Sequence, residues 1–100
     1  MKTTIIGNLT HVGEIQTKET YSSQTVEVTV QEYDHNSGTA KEPQIFPITI
    51  FNKNIAALQA ATLLGQRVAA GCWLKSIKKT HEDKIFYNIA LNCTSLSKTN

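Results

Sequence analysis

The chain has 100 residues, 40% of them hydrophobic and 18% charged, which fits one globular domain with a modest core and excludes a wholly disordered chain. Its longest apolar stretch, residues 55–64, falls far short of the roughly 20 residues a membrane span needs. Residues 1–7 run into Asn8 and Thr10 without the apolar segment of a signal peptide, so we expect a cytoplasmic protein with no membrane partner. The net charge of +2 is unevenly spread: residues 1–42 hold three lysines against six acids, net −3, and residues 43–100 hold seven Lys/Arg against two acids, net +5. Any attraction for a polyanion belongs to the C-terminal half.

Neither an internal repeat nor a low-complexity linker divides the chain, and residues 1–100 are expected to form a single domain. A first strand is expected over residues 3–12, where β-branched side chains are interrupted by Gly7, a sign of a bulge or bend where a sheet curls. Residues 25–33 alternate cleanly, with Val26, Val28 and Val30 on one side and Glu27, Thr29, Gln31 and Tyr33 on the other, and predict a second strand. Turn-forming residues at 34–43 predict a mobile loop after it. A third strand over residues 44–51 turns Phe46, Ile48 and Ile50 inward and leaves Ile45, Pro47, Thr49 and Phe51 on the other side. Asn52 or Asn54 can then cap a short helix with Ile55, Leu58, Ala61 and Leu64 on one stripe, ended by Gly65.

The last two runs, residues 67–80 and 85–96, flank a polar connection and predict a long hairpin. A turn centred on Glu82 and Asp83 makes paired residue numbers sum to 165. That register gathers Val68, Ala70, Cys72 and Leu74 with Ile85, Tyr87, Ile89, Leu91 and Cys93 on an expected core face. Trp73, Lys75, Ile77 and Lys79 fall on the opposite face with Phe86, Asn88, Ala90 and Asn92.

These elements predict an all-β protein with one short helix. Five strands with a helix between the third and fourth is the element order of the OB-fold, a partly open Greek-key barrel that commonly binds oligonucleotides. The alternation places Tyr33, Phe51, Trp73 and Phe86 off the core, with Lys75 and Lys79 beside them. Lys53 and Arg67 are weaker candidates. Rings on which bases stack, at roughly 1 to 3 kcal/mol each, together with lysines that meet phosphates, are what a single strand needs. About three lysine contacts give a salt slope near −2, too weak a field to hold duplex tightly, so unpaired strands are favoured.

A second reading stands beside this one. Trp73 suits a subunit interface, Phe51 can cover a barrel end, Phe86 can pack under the hairpin, and the lysines can be a solvated edge that discourages aggregation. Tyr33 can be a simple exposed ring at a loop. Cys72 and Cys93 have no metal-ligand spacing and are expected as buried thiols. His11, His35 and His81 have no convergent nucleophile or carboxylate, and phosphate-loop and hydrolase motifs are absent. No enzymatic activity, metal, cofactor or small-molecule substrate is expected.

Several short motifs sharpen the first reading: Ile5-Ile6-Gly7-Asn8-Leu9 in strand one, a ring at Tyr33 after strand two, Phe51-Asn52-Lys53 leading into the helix, Gly65 before strand four, and Ile89-Ala90-Leu91 in strand five. With these in this order the chain resembles the DNA-binding domain of bacterial single-stranded DNA-binding proteins. The resemblance spans nearly the whole chain. It implies stacking of bases on Tyr33 and Phe51, single-stranded DNA before RNA as partner, no sequence readout, and a role in replication, recombination or repair. It also implies a homodimer or homotetramer. Departures are Ile45 where the family usually has a tryptophan, Pro47 at a usually polar or basic position, and no acidic tail after Lys98-Thr99-Asn100. The short form is similar also to the primosomal replication protein N type. An accessory module whose aromatic face docks a partner or its own subunit is the alternative function.

Overall fold

A computed structural model describes residues 1–99. In chain order the elements are β1 (Lys2–Val12), β2 (Gln16–Thr17), β3 (Ser22–Val30), β4 (Gln44–Phe51), helix α1 (Lys53–Leu58), a 3₁₀ turn (Ala60–Leu63), β5 (Arg67–His81) and β6 (Lys84–Lys98). The strands run in the order β1-β5-β6-β4-β3-β2, and a further β1–β3 pairing closes the sheet on itself. The expected helix between the third and fourth long strands is present; the two-residue β2, absent from the sequence reading, makes it follow β4.

Closure depends on β1 serving two neighbours. Its first part pairs with β5, from Lys2↔Trp73 to Asn8↔Arg67, and its second part with β3, from Asn8↔Thr29 to Val12↔Val26. The strand must bend between them. Gly7 allows the close approach this requires, because a Cβ there would run into the Thr29 carbonyl. The irregularity in the ladder lies three residues later, between Leu9 and His11.

Inward side chains of every long strand meet in one core. Leu9, Val26, Val28, Ile48, Ile50, Val68 and Cys72 are fully buried, with Ala70, Leu91, Cys93 and Leu96 around them. β3 and β4 hold register from Ser23↔Phe51 to Val30↔Gln44, so Val26 lies opposite Ile48 and Val28 opposite Phe46. The gap between β4 and β6 is bridged by one parallel pair, Thr49↔Asn92. Both cysteines are buried and free, and face each other across β5 and β6. A hydrogen bond with the Cys93 thiol, then burial, pushes the Cys72 thiol well above its ordinary value.

Three expectations need correction. The helix is not one continuous stripe: Gln59 adopts a left-handed conformation (φ 47°) and splits it from the 3₁₀ turn. Ala60 rather than Ala61 is therefore buried, Ile55, Leu58 and Leu63 pack on the core, and Leu64 is exposed. Asn52 does not cap with its side chain; its Oδ1 accepts from the Ser22 N–H at 3.0 Å and ties the helix start to β3. Second, the strand expected to reach Tyr33 stops at Val30. The chain beyond it folds into a bonded turn, in which Asp34 Oδ1 accepts from the N–H groups of Asn36 and Ser37, and Tyr33 bridges to Ala40.

The third correction concerns the hairpin. Its register is as expected from His81↔Lys84 to Cys72↔Cys93, after which a bulge shifts the pairing to Gly71↔Ser95. However, β1 pairs with β5 only as far as Trp73, and β4 forms its single ladder pair with β6 at Asn92. Beyond those residues the two strands project alone as an arm. Ile85, Tyr87 and Ile89 continue the core side of the pleat but lie outside the buried core, Ile89 at the rim of an open hollow with Phe46 and Pro47, and are 53%, 66% and 66% exposed. The Cα radius of gyration, 15.4 Å, exceeds the roughly 13 Å of a compact 100-residue domain, as a projecting arm demands.

Candidate nucleic-acid interface

The outer surface of β1, β5 and β6 gathers most of the expected residues. Because paired residues point to the same side, Lys2, Trp73 and Asn92 form one row across the three strands, followed along the arm by Lys75 with Ala90, Ile77 with Asn88, and Lys79 with Phe86. Trp73 is 51% and Phe86 49% exposed. Neither is sealed inside the barrel. Among the described residues, this surface carries no carboxylate until Glu82 and Asp83 at the hairpin tip. Lys2, Lys75, Lys79 and Lys84 thus meet solvent unpaired by acids among the described residues, and near the tip His81 Nε2 lies 3.8 Å from Glu82 Oε1.

Tyr33 joins the same surface at its other end. Although it has left the strand, it lines a hollow of about 280 Å³ with Ile6, Asn8, Thr29 and Arg67. Ile6, Asn8 and Arg67 are outward residues of the β1–β5 ladder. From Arg67 to Trp73 is six residues of β5, roughly 20 Å of strand. Arg67, a weak candidate in sequence, is therefore the cation beside Tyr33. Asp34, next in the chain, keeps its carboxyl below the ordinary range because the Ser37 and then the Asn36 backbone N–H groups bond it.

Phe51 and Lys53 lie around the curve of the barrel. Thr49 pairs with Asn92, which pairs with Trp73, so Phe51, two residues further along β4, stands two strands from the tryptophan. It is half-buried, off the core as expected, and its ring meets Tyr21 edge to face at 6.0 Å between centroids. Lys53 is exposed at the start of α1. Tyr21 was not singled out in sequence: it sits outside any alternating run, and only its place just ahead of β3 could have marked it. Neither Phe51 nor Lys53 shares the row of Trp73 and the arm lysines.

His11, His35 and His81 are all exposed. Among the described residues, no group of three or more His, Cys, Asp or Glu is placed to hold a metal ion, and no helix is long and apolar enough to cross a membrane.

The architecture has clear counterparts among solved structures. The small single-stranded DNA-binding protein from Streptomyces coelicolor superposes with a TM-score of 0.69 at 14% identity, covering 99% of this chain and 94% of that one. The Plasmodium falciparum SSB in complex with ssDNA gives 0.71 at 18% identity, over 99% and 94% of the two chains. A mitochondrial single-stranded DNA binding protein from S. cerevisiae gives 0.68 at 15%, over 98% and 93%. No family model matches the chain, and no curated protein matches it in sequence. At these identities the likeness is one of fold: a closed β-sheet with one short helix, the OB-fold in the form that single-stranded DNA-binding proteins take.

Proposed function

We propose that the chain binds single-stranded DNA without sequence readout, in replication, recombination or repair, and that it acts by holding the strand rather than by catalysis. The observation that carries this reading is the outer surface of β1, β5 and β6, where Trp73 and Phe86 stand exposed among Lys2, Lys75 and Lys79 with no carboxylate between them. Bases stack on the rings and phosphates meet the lysines. Two or three stacked bases supply roughly 2 to 9 kcal/mol, more than a few screened lysine contacts can, and only unpaired strands offer base faces. Tyr33 with Arg67 extends the path at one end; Phe51 with Lys53 offers a branch around the barrel. The solved structures of the same fold, one of them an ssDNA complex, support the reading.

One observation favours a second reading, a protein-interaction module: Trp73 and Ile6 are outward apolar residues on adjacent strands, 51% and 47% exposed, and a second copy could cover them. Homodimers or homotetramers of the bacterial type are compatible with either function. Titration with poly-dT separates the two, because Trp73 is the sole tryptophan. Quenching of its emission is expected, and in a gel-mobility assay Trp73→Ala should weaken binding by about 1 to 3 kcal/mol at unchanged mass in light scattering. A flat titration, or loss of assembly on the same substitution, assigns Trp73 to the interface.

A further inference from the structure

Two nucleophilic side chains of the core take no part in the path above. Cys72 and Cys93 are a directly facing pair of the β5–β6 ladder, both free and both turned inward, 0% and 3% exposed. Facing residues of an antiparallel pair stand roughly 4.5 to 5.5 Å apart between Cα atoms, and a disulfide spans roughly 4.4 to 6.8 Å. The pair sits at the root of the arm, beside the bulge that shifts the register to Gly71↔Ser95, and Thr3 of β1 faces Cys72 from the other side. The next pair along the same inner face, Leu74 and Leu91, lines with Thr3 an open, mostly apolar hollow of about 490 Å³. A small solute thus comes within one side-chain pair of the thiols.

We propose that Cys72 and Cys93 form a reversible cross-strand disulfide when the protein meets a peroxide, tying β5 to β6 at the root of the arm. The bond needs nothing from the outer face of the sheet and is independent of what that face binds. The two sulfurs have different roles. The Cys72 S–H donates toward the Cys93 sulfur, which lowers the Cys93 thiol and raises the Cys72 thiol, so Cys93 is the one that ionises and attacks. Its thiolate takes one oxygen of hydrogen peroxide, the O–O bond breaks, hydroxide leaves, and Cys93 becomes a sulfenic acid. The Cys72 sulfur then attacks the Cys93 sulfur, the S–O bond breaks, and the Cys72 proton leaves with that oxygen as water. Two electrons pass from the thiols to the peroxide, and a dithiol reductant restores the pair. Residues 73–92 lie inside the closed loop, so the bond constrains the unfolded chain across the whole arm.

The test is hydrogen peroxide treatment of the full chain at neutral pH, followed by thiol alkylation in denaturant, tryptic digestion and mass spectrometry. Trypsin leaves Cys72 on residues 68–75 and Cys93 on residues 85–98, apart from Met1, whose thioether also takes up oxygen. The expected product is these two peptides joined, lighter by two hydrogens than their sum, with the mass of the native protein unchanged in light scattering and the joined product lost after dithiothreitol. The oxidised protein should also unfold at a higher urea midpoint than the reduced one. Cys72→Ala should leave Cys93 as a sulfenic acid that dimedone labels, whereas Cys93→Ala should leave Cys72 unlabelled; labelling of Cys72 in place of Cys93 overturns the order of attack. Two alkylated thiols after peroxide, a joined pair that forms only in urea, sulfinic or sulfonic acids in place of the joined pair, or a bond between two chains overturns the disulfide. So does a urea midpoint that fails to rise on oxidation.

Discussion

The two halves of the β5–β6 hairpin obey one pleat and live in different solvents. Near the barrel, inward residues such as Cys72, Leu91 and Cys93 are at most 8% exposed; in the arm, Tyr87 and Ile89 occupy equivalent positions and are 66% exposed. Alternation fixes which side a residue takes, and cover depends on whether another strand crosses beneath. β1 and β4 pair with the hairpin only as far as Trp73 and Asn92. The barrel half therefore bears the stability and the arm half is left with side chains free for a ligand. An isolated two-stranded ribbon is marginal in water, so the arm is anchored by its root.

The sharpest way to break this division is to cut both halves equally. Ile48 is fully buried among the strands, and Ile48→Ala should cost about 2 to 5 kcal/mol, read as a lower urea midpoint. Ile85→Ala, removing the same atoms from the arm, should cost under about 1 kcal/mol. Equal losses would show that the arm is covered in solution. The ligand side of the comparison predicts the reverse. Lys75→Ala combined with Lys79→Ala should leave the urea midpoint in place and reduce the salt dependence of dT binding by about 1.4 log units per decade of salt; an unchanged slope would remove both lysines from the path.

Most of the barrel was legible because its signals are periodic. The valines of β3, the isoleucines of β4 and the hairpin register all follow from alternation, and the apolar segregation around Glu82 and Asp83 located the turn to the residue. What escaped depended on neighbours distant in sequence. Nothing in residues 85–89 tells that the ladders to β1 and β4 end before them, so alternation alone places them in the core. The break at Gln59 arises because Ala60 must reach the core from a helix only six residues long, a tertiary demand that overrides the 3.6-residue stripe. Of the site residues, Trp73, Lys75, Lys79 and Phe86 share a surface as their parity required. Tyr33 reached it by a different route, through the bonded turn at Asp34. Phe51 and Lys53 did not join them, since parity says which side of a strand a residue takes and not how far the barrel has curved.

Smaller effects sharpen the arm itself. Glu82 and Asp83 close it with φ of 51° and 63°, a pair of left-handed residues of the kind a type I′ turn demands. Glutamate is poorly suited to that region, while Asn-Gly adopts it at little cost. Replacing the pair, Glu82→Asn with Asp83→Gly, should tighten the arm by about 1 kcal/mol, visible as stronger amide protection from Thr80 to Ile85 and no change among the core strands. The same change removes the acids from the tip.

The smallest expected effect concerns how Tyr33 is held. The Asp34 carboxylate accepts the Asn36 N–H at 2.8 Å and the Ser37 N–H at 3.0 Å, while the Asp34 carbonyl takes the Gly38 N–H at 2.9 Å. These bonds keep its folded value depressed, so the turn's support is complete above the ordinary carboxylate range and is lost as pH falls through the depressed value. Lowering the pH should therefore release the Asn36 and Ser37 amides to exchange before the barrel amides of Val26 and Ile48, and Asp34→Asn should produce the same release at neutral pH. Because Tyr33 sits one residue before this carboxylate, dT affinity should drop by less than the full value of one stacked base, the ring being loosened and not removed. A loss as large as that of Tyr33→Ala would mean that the ring binds only in the geometry the turn imposes.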